Sequence, residues 1–131
     1  MRVLVADEHP LICRGLRRLL EGEGYDVVAE AQCGGDVPAL IAEHQPDALV
    51  ADPLMPGLGG PTILPQLRAI APELEVVFLG DTEDRRVIRT AFEMGAADYL
   101  PKSAEPGKVL AAVRQAVTPT STRSQRGLPP R

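Results

Sequence analysis

Tryptophan is absent, and two Tyr and two Phe are the only aromatic residues among 131. A core without large rings has to be built from aliphatic side chains. At 44% apolar residues there is enough material for a compact two- or three-layer domain, and too much for a chain disordered throughout. The two cysteines, Cys13 and Cys33, fall outside any CxxC spacing and have no His/Cys cluster near them in sequence. Neither a zinc site nor a disulfide framework is supported, which leaves buried or idle thiols. No apolar run approaches the ~18 residues needed to cross a bilayer, and Asp7 interrupts the first run too early for a signal peptide. The expectation is a cytoplasmic protein with no membrane partner.

Basic charge is scarce as well. The formal net charge is -4, but Arg123, Arg126 and Arg131 lie in the last stretch, so residues 1–118 hold eleven basic against eighteen acidic groups. A segment that acidic repels a phosphate backbone, and the helix-turn-helix, zinc-finger and RNA-platform signatures are missing from it. Direct nucleic acid contact by this segment is therefore not expected.

What is present is a regular alternation. Five short apolar runs recur: Val3–Ala6, Val27–Ala29, Ala48–Ala51, Val76–Leu79 and Ala97–Leu100. The first four lack the polar alternation of a half-wet strand, as expected when both faces are covered. Helix-period stretches separate the runs, with Ile12, Leu16, Leu19 and Leu20 on one face, then Val37, Leu40 and Ile41. Ile88, Ala91 and Phe92 make the next such face, and Leu110, Val113 and Val117 the last. Gly22, Gly24 and Gly95 fall where helices should stop. Strict alternation predicts an α/β domain, a doubly wound five-stranded parallel sheet of order 2-1-3-4-5, over residues 1–117. The third helix is the weak element. Pro61 suits a helix start, but Pro65 cannot donate back to the carbonyl of Pro61, which predicts a late start or a kink. Residues 118–131, with Leu128 their only non-proline apolar residue, read as a flexible linker or tail.

In that topology ligands bind beyond the carboxyl ends of the strands, at the switch point between strands 1 and 3. The residues placed there are Asp7 and Glu8 after strand 1, Asp52 after strand 3, Gly80 and Asp81 after strand 4, and Lys102 after strand 5. Each has a bland role on its own. Asp7 and Glu8 precede a helix and can serve its dipole, Asp52 before Pro53 can start a turn, and Lys102 can be a solvated lysine. Together, acids without a counter-charge would raise one another's pKa unless a divalent cation sat among them, and an all-oxygen, partly hydrated site suits Mg2+. One carboxylate then remains as a nucleophile toward a phosphoryl group, with Lys102 pairing the developing charge. His9 reads as an exposed loop residue.

The segments 3–11 (VLVADEHPL), 46–60 (PDALVADPLMPGLGG) and 95–102 (GAADYLPK) resemble the receiver domain of two-component response regulators. The similarity spans residues 2–117, and the Asp-Glu-His-Pro-Leu opening and Lys-Ser ending look most like the NarL/FixJ subfamily. The resemblance implies a flavodoxin-like receiver fold and Mg2+-dependent phosphoryl acceptance on Asp52. It also implies metal ligation by Glu8, Asp52 and the backbone carbonyl of Leu54, with Asp7 acting through water. Lys102 would contact the phosphoryl group, and Tyr99 would be the aromatic switch. The implied partners are a sensor histidine kinase, a homodimer mate and a covalently linked DNA-binding output domain in a longer parent protein. No enzyme activity is implied beyond self-phosphorylation from small donors and slow autodephosphorylation.

One position departs from the family pattern. Strand 4 ends in Gly80 followed by Asp81, where the family usually carries a Ser or Thr that binds a phosphoryl oxygen, and Thr82 comes two residues late. A backbone amide remains at Gly80, but Asp81 adds like charge, so phospho-switching through Tyr99 is expected to be weakened. The competing reading is a phosphorylation-independent receiver that works by protein interaction or small-ligand binding. A dehalogenase-type phosphatase needs a second acid where His9 stands. A cobalamin domain would use Asp7-x-His9-x-x-Gly, but Ile12 replaces the glycine, and both alternatives leave Asp52 and Lys102 unexplained. No glycine-rich phosphate loop follows strand 1, which removes nucleotide chemistry.

Overall fold

The structure is a computed structural model that describes residues 1–118. Except for Thr118, the stretch 118–131 expected as a linker lies outside the described residues. Strands β1 (Arg2–Ala6), β2 (Asp26–Ala31), β3 (Ala48–Ala51), β4 (Glu75–Gly80) and β5 (Asp98–Pro101) alternate with helices α1 (Pro10–Glu21), α2 (Val37–His44), α3 (Leu64–Ile70), α4 (Arg85–Glu93) and α5 (Pro106–Val117). All pairings are parallel and the strand order is β2-β1-β3-β4-β5. This is the doubly wound arrangement that the five runs predict.

Because consecutive strand residues face opposite sides, each continuous run feeds two cores. Leu4, Ala6, Leu49, Ala51, Val76 and Phe78 pack toward Ile41, Leu64, Leu67 and Ala91. Val3, Val5, Val50, Val77 and Leu79 pack toward Cys13, Leu16, Leu20, Val109 and Val113. Helices α2, α3 and α4 thus cover one face of the sheet, and α1 and α5 the other. Of the two cysteines, Cys13 is buried in the second core and Cys33 is exposed.

The proline pair acts as expected: Pro61–Ile63 forms a 3-10 turn, and α3 proper begins only at Leu64, with Pro65 in its first turn, where no intrahelical donor is required. One helical face differs. Phe92 is 48% exposed, whereas Ala91 is the fully buried residue of α4. The inward direction of this short helix runs through Ala91, with Val87 one turn earlier, and Phe92 lies about 100° further round the axis. The periodic set Ile88, Ala91 and Phe92 straddles the boundary of the core instead of pointing into it.

Two backbone contacts fix the loops that flank the sheet edge. The loop after β2 lies directly on the loop after β3, where the Gly34 amide donates to the Pro56 carbonyl at 2.9 Å. A Cβ at Gly34 would sit 2.2 Å from the Leu58 amide nitrogen, an approach that only glycine permits. Gly34→Ala is accordingly expected to cost about 2 kcal/mol, as overpacking against backbone that cannot yield does, readable as a lower urea midpoint at unchanged slope. Elsewhere, the Arg68 guanidinium ties α3 to β4 and to the turn after α4. It donates to the carbonyls of Leu74 (3.2 Å), Met94 (3.3 Å) and Gly95 (2.7 Å), and lies 3.7 Å from the buried Glu75 carboxylate.

Candidate phosphoryl-acceptor site

The register of the sheet builds the site. Ala6 of β1 pairs with Ala51 of β3, so Asp7 and Asp52 leave neighbouring strands side by side. Their backbones continue the ladder by one step: the Asp52 amide donates to the Ala6 carbonyl at 3.0 Å, and the Asp7 amide to the Ala31 carbonyl at 2.9 Å. On the other flank Pro101 pairs with Gly80, which delivers Lys102 to the same edge.

The Lys102 ammonium stands between the two acids, with Nζ 2.8 Å from Asp7 Oδ2 and 2.8 Å from Asp52 Oδ2. The three side chains are nearly withdrawn from solvent, at 11%, 2% and 13% exposure for Lys102, Asp7 and Asp52. The remaining carboxylate oxygens are also engaged. Asp7 Oδ1 accepts from the His9 amide at 2.9 Å and lies 3.0 Å from His9 Nδ1, while Asp52 Oδ1 accepts from the Leu54 amide at 2.9 Å. Burial alone would raise the Asp7 carboxyl, but hydrogen bonds from Lys102 and His9 outweigh it and hold the group below its ordinary value. For Lys102, burial disfavours the charge, and the bonds to Asp52 and Asp7 reverse that and push the ammonium well above its usual range.

Asp7, Asp52 and Lys102 therefore meet, as the sequence suggests. Glu8 does not join them: it is exposed, and among the described residues no three His, Cys, Asp or Glu side chains form a ready metal cluster. The physical reason is alternation, since Glu8 follows the inward Asp7 at the exit of β1. Leu54, 52% exposed, turns at the rim beside Asp52. The donor set of Asp7, Asp52, the Leu54 carbonyl and a turned Glu8 consists wholly of oxygen, the chemistry that a hard divalent cation selects.

At the end of β4, Gly80 is buried and Asp81 exposed. Thr82 does not loop back toward Gly80; its hydroxyl accepts from the Asp84 amide at 3.1 Å, at the entry to α4, where Asp84 caps the helix through the Arg86 amide. Tyr99 packs its ring on Phe78, with centroids 6.4 Å apart, and its hydroxyl is buried without a hydrogen-bond partner among the described residues. Two residues matter more than their sequence context shows. His9, although 61% exposed, orients Asp7, and the Pro53 ring closes over Gly80. The only sequence signal for either is adjacency to an acid.

A profile of the response regulator receiver domain matches residues 3–114. The chain belongs to the response regulator receiver family. This receiver domain is 35% identical over 116 residues to the response regulator GacA of Pseudomonas aeruginosa, covering 88% of the chain and 54% of GacA. It is 32% identical over 115 residues to the response regulator UvrY of Escherichia coli K12, covering 87% and 53%. The chain thus spans about half the length of these curated relatives. Among solved structures, the signal receiver domain of a response regulator designated NarL from Mycobacterium tuberculosis superimposes with a TM-score of 0.83 at 30% identity, over 91% of this chain and 97% of that one. Response regulators of the NarL, UvrY and GacA type are among the proteins this receiver is similar to, and transcriptional regulators are among its relatives. No helix among the described residues is long and apolar enough to cross a membrane.

Proposed function

We propose that this receiver takes a phosphoryl group on Asp52, in a Mg2+-dependent transfer from the phosphohistidine of a sensor kinase, and thereby controls a linked output domain, most simply a DNA-binding one. The observation that carries the reading is the Lys102 ammonium held 2.8 Å from both Asp52 and Asp7. An Asp52 oxygen attacks phosphorus, the new P–O bond forms as the P–N bond breaks, and the electron pair returns to the imidazole nitrogen. Lys102 is placed to follow charge onto the phosphoryl oxygens, and the Leu54 amide keeps the acceptor carboxylate oriented. Asp7, Glu8, Asp52 and the Leu54 carbonyl are the groups that would hold Mg2+, which when bound neutralises charge on the phosphoryl oxygens. Glu8 reaches that set by turning in from solvent, and Lys102 has to loosen its grip on one carboxylate.

Incubation with acetyl phosphate and Mg2+ should add one phosphoryl group to the intact protein, read by mass. Asp52→Ala should add none. A wild-type chain that stays unmodified with acetyl phosphate, phosphoramidate and a phosphorylated kinase alike would overturn the reading.

A further inference from the structure

Gly80 has no side chain, but the space beside its Cα is not empty. A Cβ built there would lie 2.5 Å from the Tyr99 hydroxyl oxygen and 3.1 and 3.2 Å from Cδ and Cγ of Pro53, the residue next to Asp52. The tyrosine has entered the volume that any other residue at the end of β4 would fill. Its oxygen lies further from that virtual Cβ than a bonded serine hydroxyl would, but at the same corner, so the chain carries a hydroxyl there after all, supplied from β5. That hydroxyl is buried and finds no hydrogen-bond partner among the described residues.

A buried donor without an acceptor is destabilising, and a ligand that supplies the acceptor removes that cost. The acceptor to expect here is anionic and adjoins Asp52. The phenol already feels Asp52 and Asp81, which, after burial, oppose its ionisation and keep it a donor. A phosphoryl group on Asp52 would bring three acceptor oxygens to the site.

We propose that the Tyr99 hydroxyl, occupying the space left by Gly80, is the side-chain donor that binds the phosphoryl group on Asp52. The inference rests on Asp52 as acceptor. It makes Tyr99 a ligand-binding residue, and it makes the glycine a requirement of that role, because any side chain at position 80 displaces the phenol.

Beryllofluoride with Mg2+, a phosphoryl mimic, is titrated into four variants and the rise in melting temperature converted to affinity. Tyr99→Phe removes the oxygen and Gly80→Ala drives it out, and each should weaken binding about ten-fold, the loss of one hydrogen bond to a charged group. Gly80→Ser combined with Tyr99→Phe returns a hydroxyl to the same corner from β4 and should recover most of that loss. Gly80→Ala with Tyr99→Phe should recover nothing, which separates hydrogen bonding from packing. Tyr99→Phe binding as tightly as wild type, or equal affinities for the two double variants, would overturn the assignment while leaving Asp52 as acceptor intact. Failure of the wild type itself to bind beryllofluoride would overturn both.

Discussion

Lys102→Met is expected to lower stability by about 3 kcal/mol at neutral pH, because it leaves Asp7 and Asp52 facing each other, nearly buried, without the cation that bridges them. The pH dependence gives the effect its signature. In the wild type, Asp7 titrates below its ordinary 3.8, so its contribution is present above that value and is lost as pH falls through the folded-state pKa. Lys102 is shifted upward, so its contribution is complete below 10.5 and disappears only as pH rises through the folded-state value. The bridge is therefore whole across the neutral range. Without Lys102 the burial that opposes ionisation of Asp7 is offset by His9 alone, its carboxyl moves up, and the variant regains stability as it takes up a proton. Urea unfolding at pH 7.5 and 4.5 should show a deficit that shrinks at the lower pH. An equal deficit at both values would mean that Lys102 acts through packing of its stem and not through its charge.

Arg68→Ala should be about as costly, also near 3 kcal/mol, but without a link to phosphoryl chemistry. The guanidinium satisfies three carbonyls on two separate segments and lies beside a carboxylate that is only 5% exposed. Truncation strips donors from acceptors that water reaches poorly, and the penalty for leaving such groups unpaired exceeds what making the bonds contributed. Burial already lowers the Arg68 pKa, a sign of how far the group is withdrawn from water. Arg68→Lys keeps the charge but loses the fork and should recover less than half of the deficit in the same unfolding assay. Beryllofluoride affinity, corrected for the folded fraction, should be unchanged. A loss of affinity in the folded protein would show that the clamp positions the phosphoryl site as well.

The central strands β1, β3 and β4 were legible in the sequence because both of their faces are buried, which writes each one as an uninterrupted apolar run such as Ala48–Ala51. Strand order followed from strict alternation, and the delayed start of α3 from Pro61 and Pro65, whose constraints are local. Phe92 misleads because a nine-residue helix offers only about two and a half turns from which to fix its inward direction. At the site, residue type and strand-end position brought Asp7, Asp52 and Lys102 to one edge, since a parallel sheet turns sequence position into spatial position. The same reasoning set Glu8 beside them, whereas its side chain is exposed, because adjacency to Asp7 says nothing of which way the next side chain faces. It also left Gly80 with a backbone amide alone. That Tyr99 fills the gap depends on how a β5 ring packs on Phe78 across the strand pair, which no local pattern encodes.

The seam between β1 and β2 slips by one residue between Val3 and Leu4, whereas the seam between β1 and β3 runs in step from Val3 and Ala48 to Ala6 and Ala51. Misalignment is thus confined to the border with β2, a strand that delivers no acid to the pocket. Gaining or dropping a residue along the outermost strand would be absorbed in a ladder already out of phase. The same change within Ala48–Ala51 would reverse the alternation and swing the acceptor to the far side of the sheet. Length variation among natural variants of this domain should therefore gather at the β2 margin and spare the central pair.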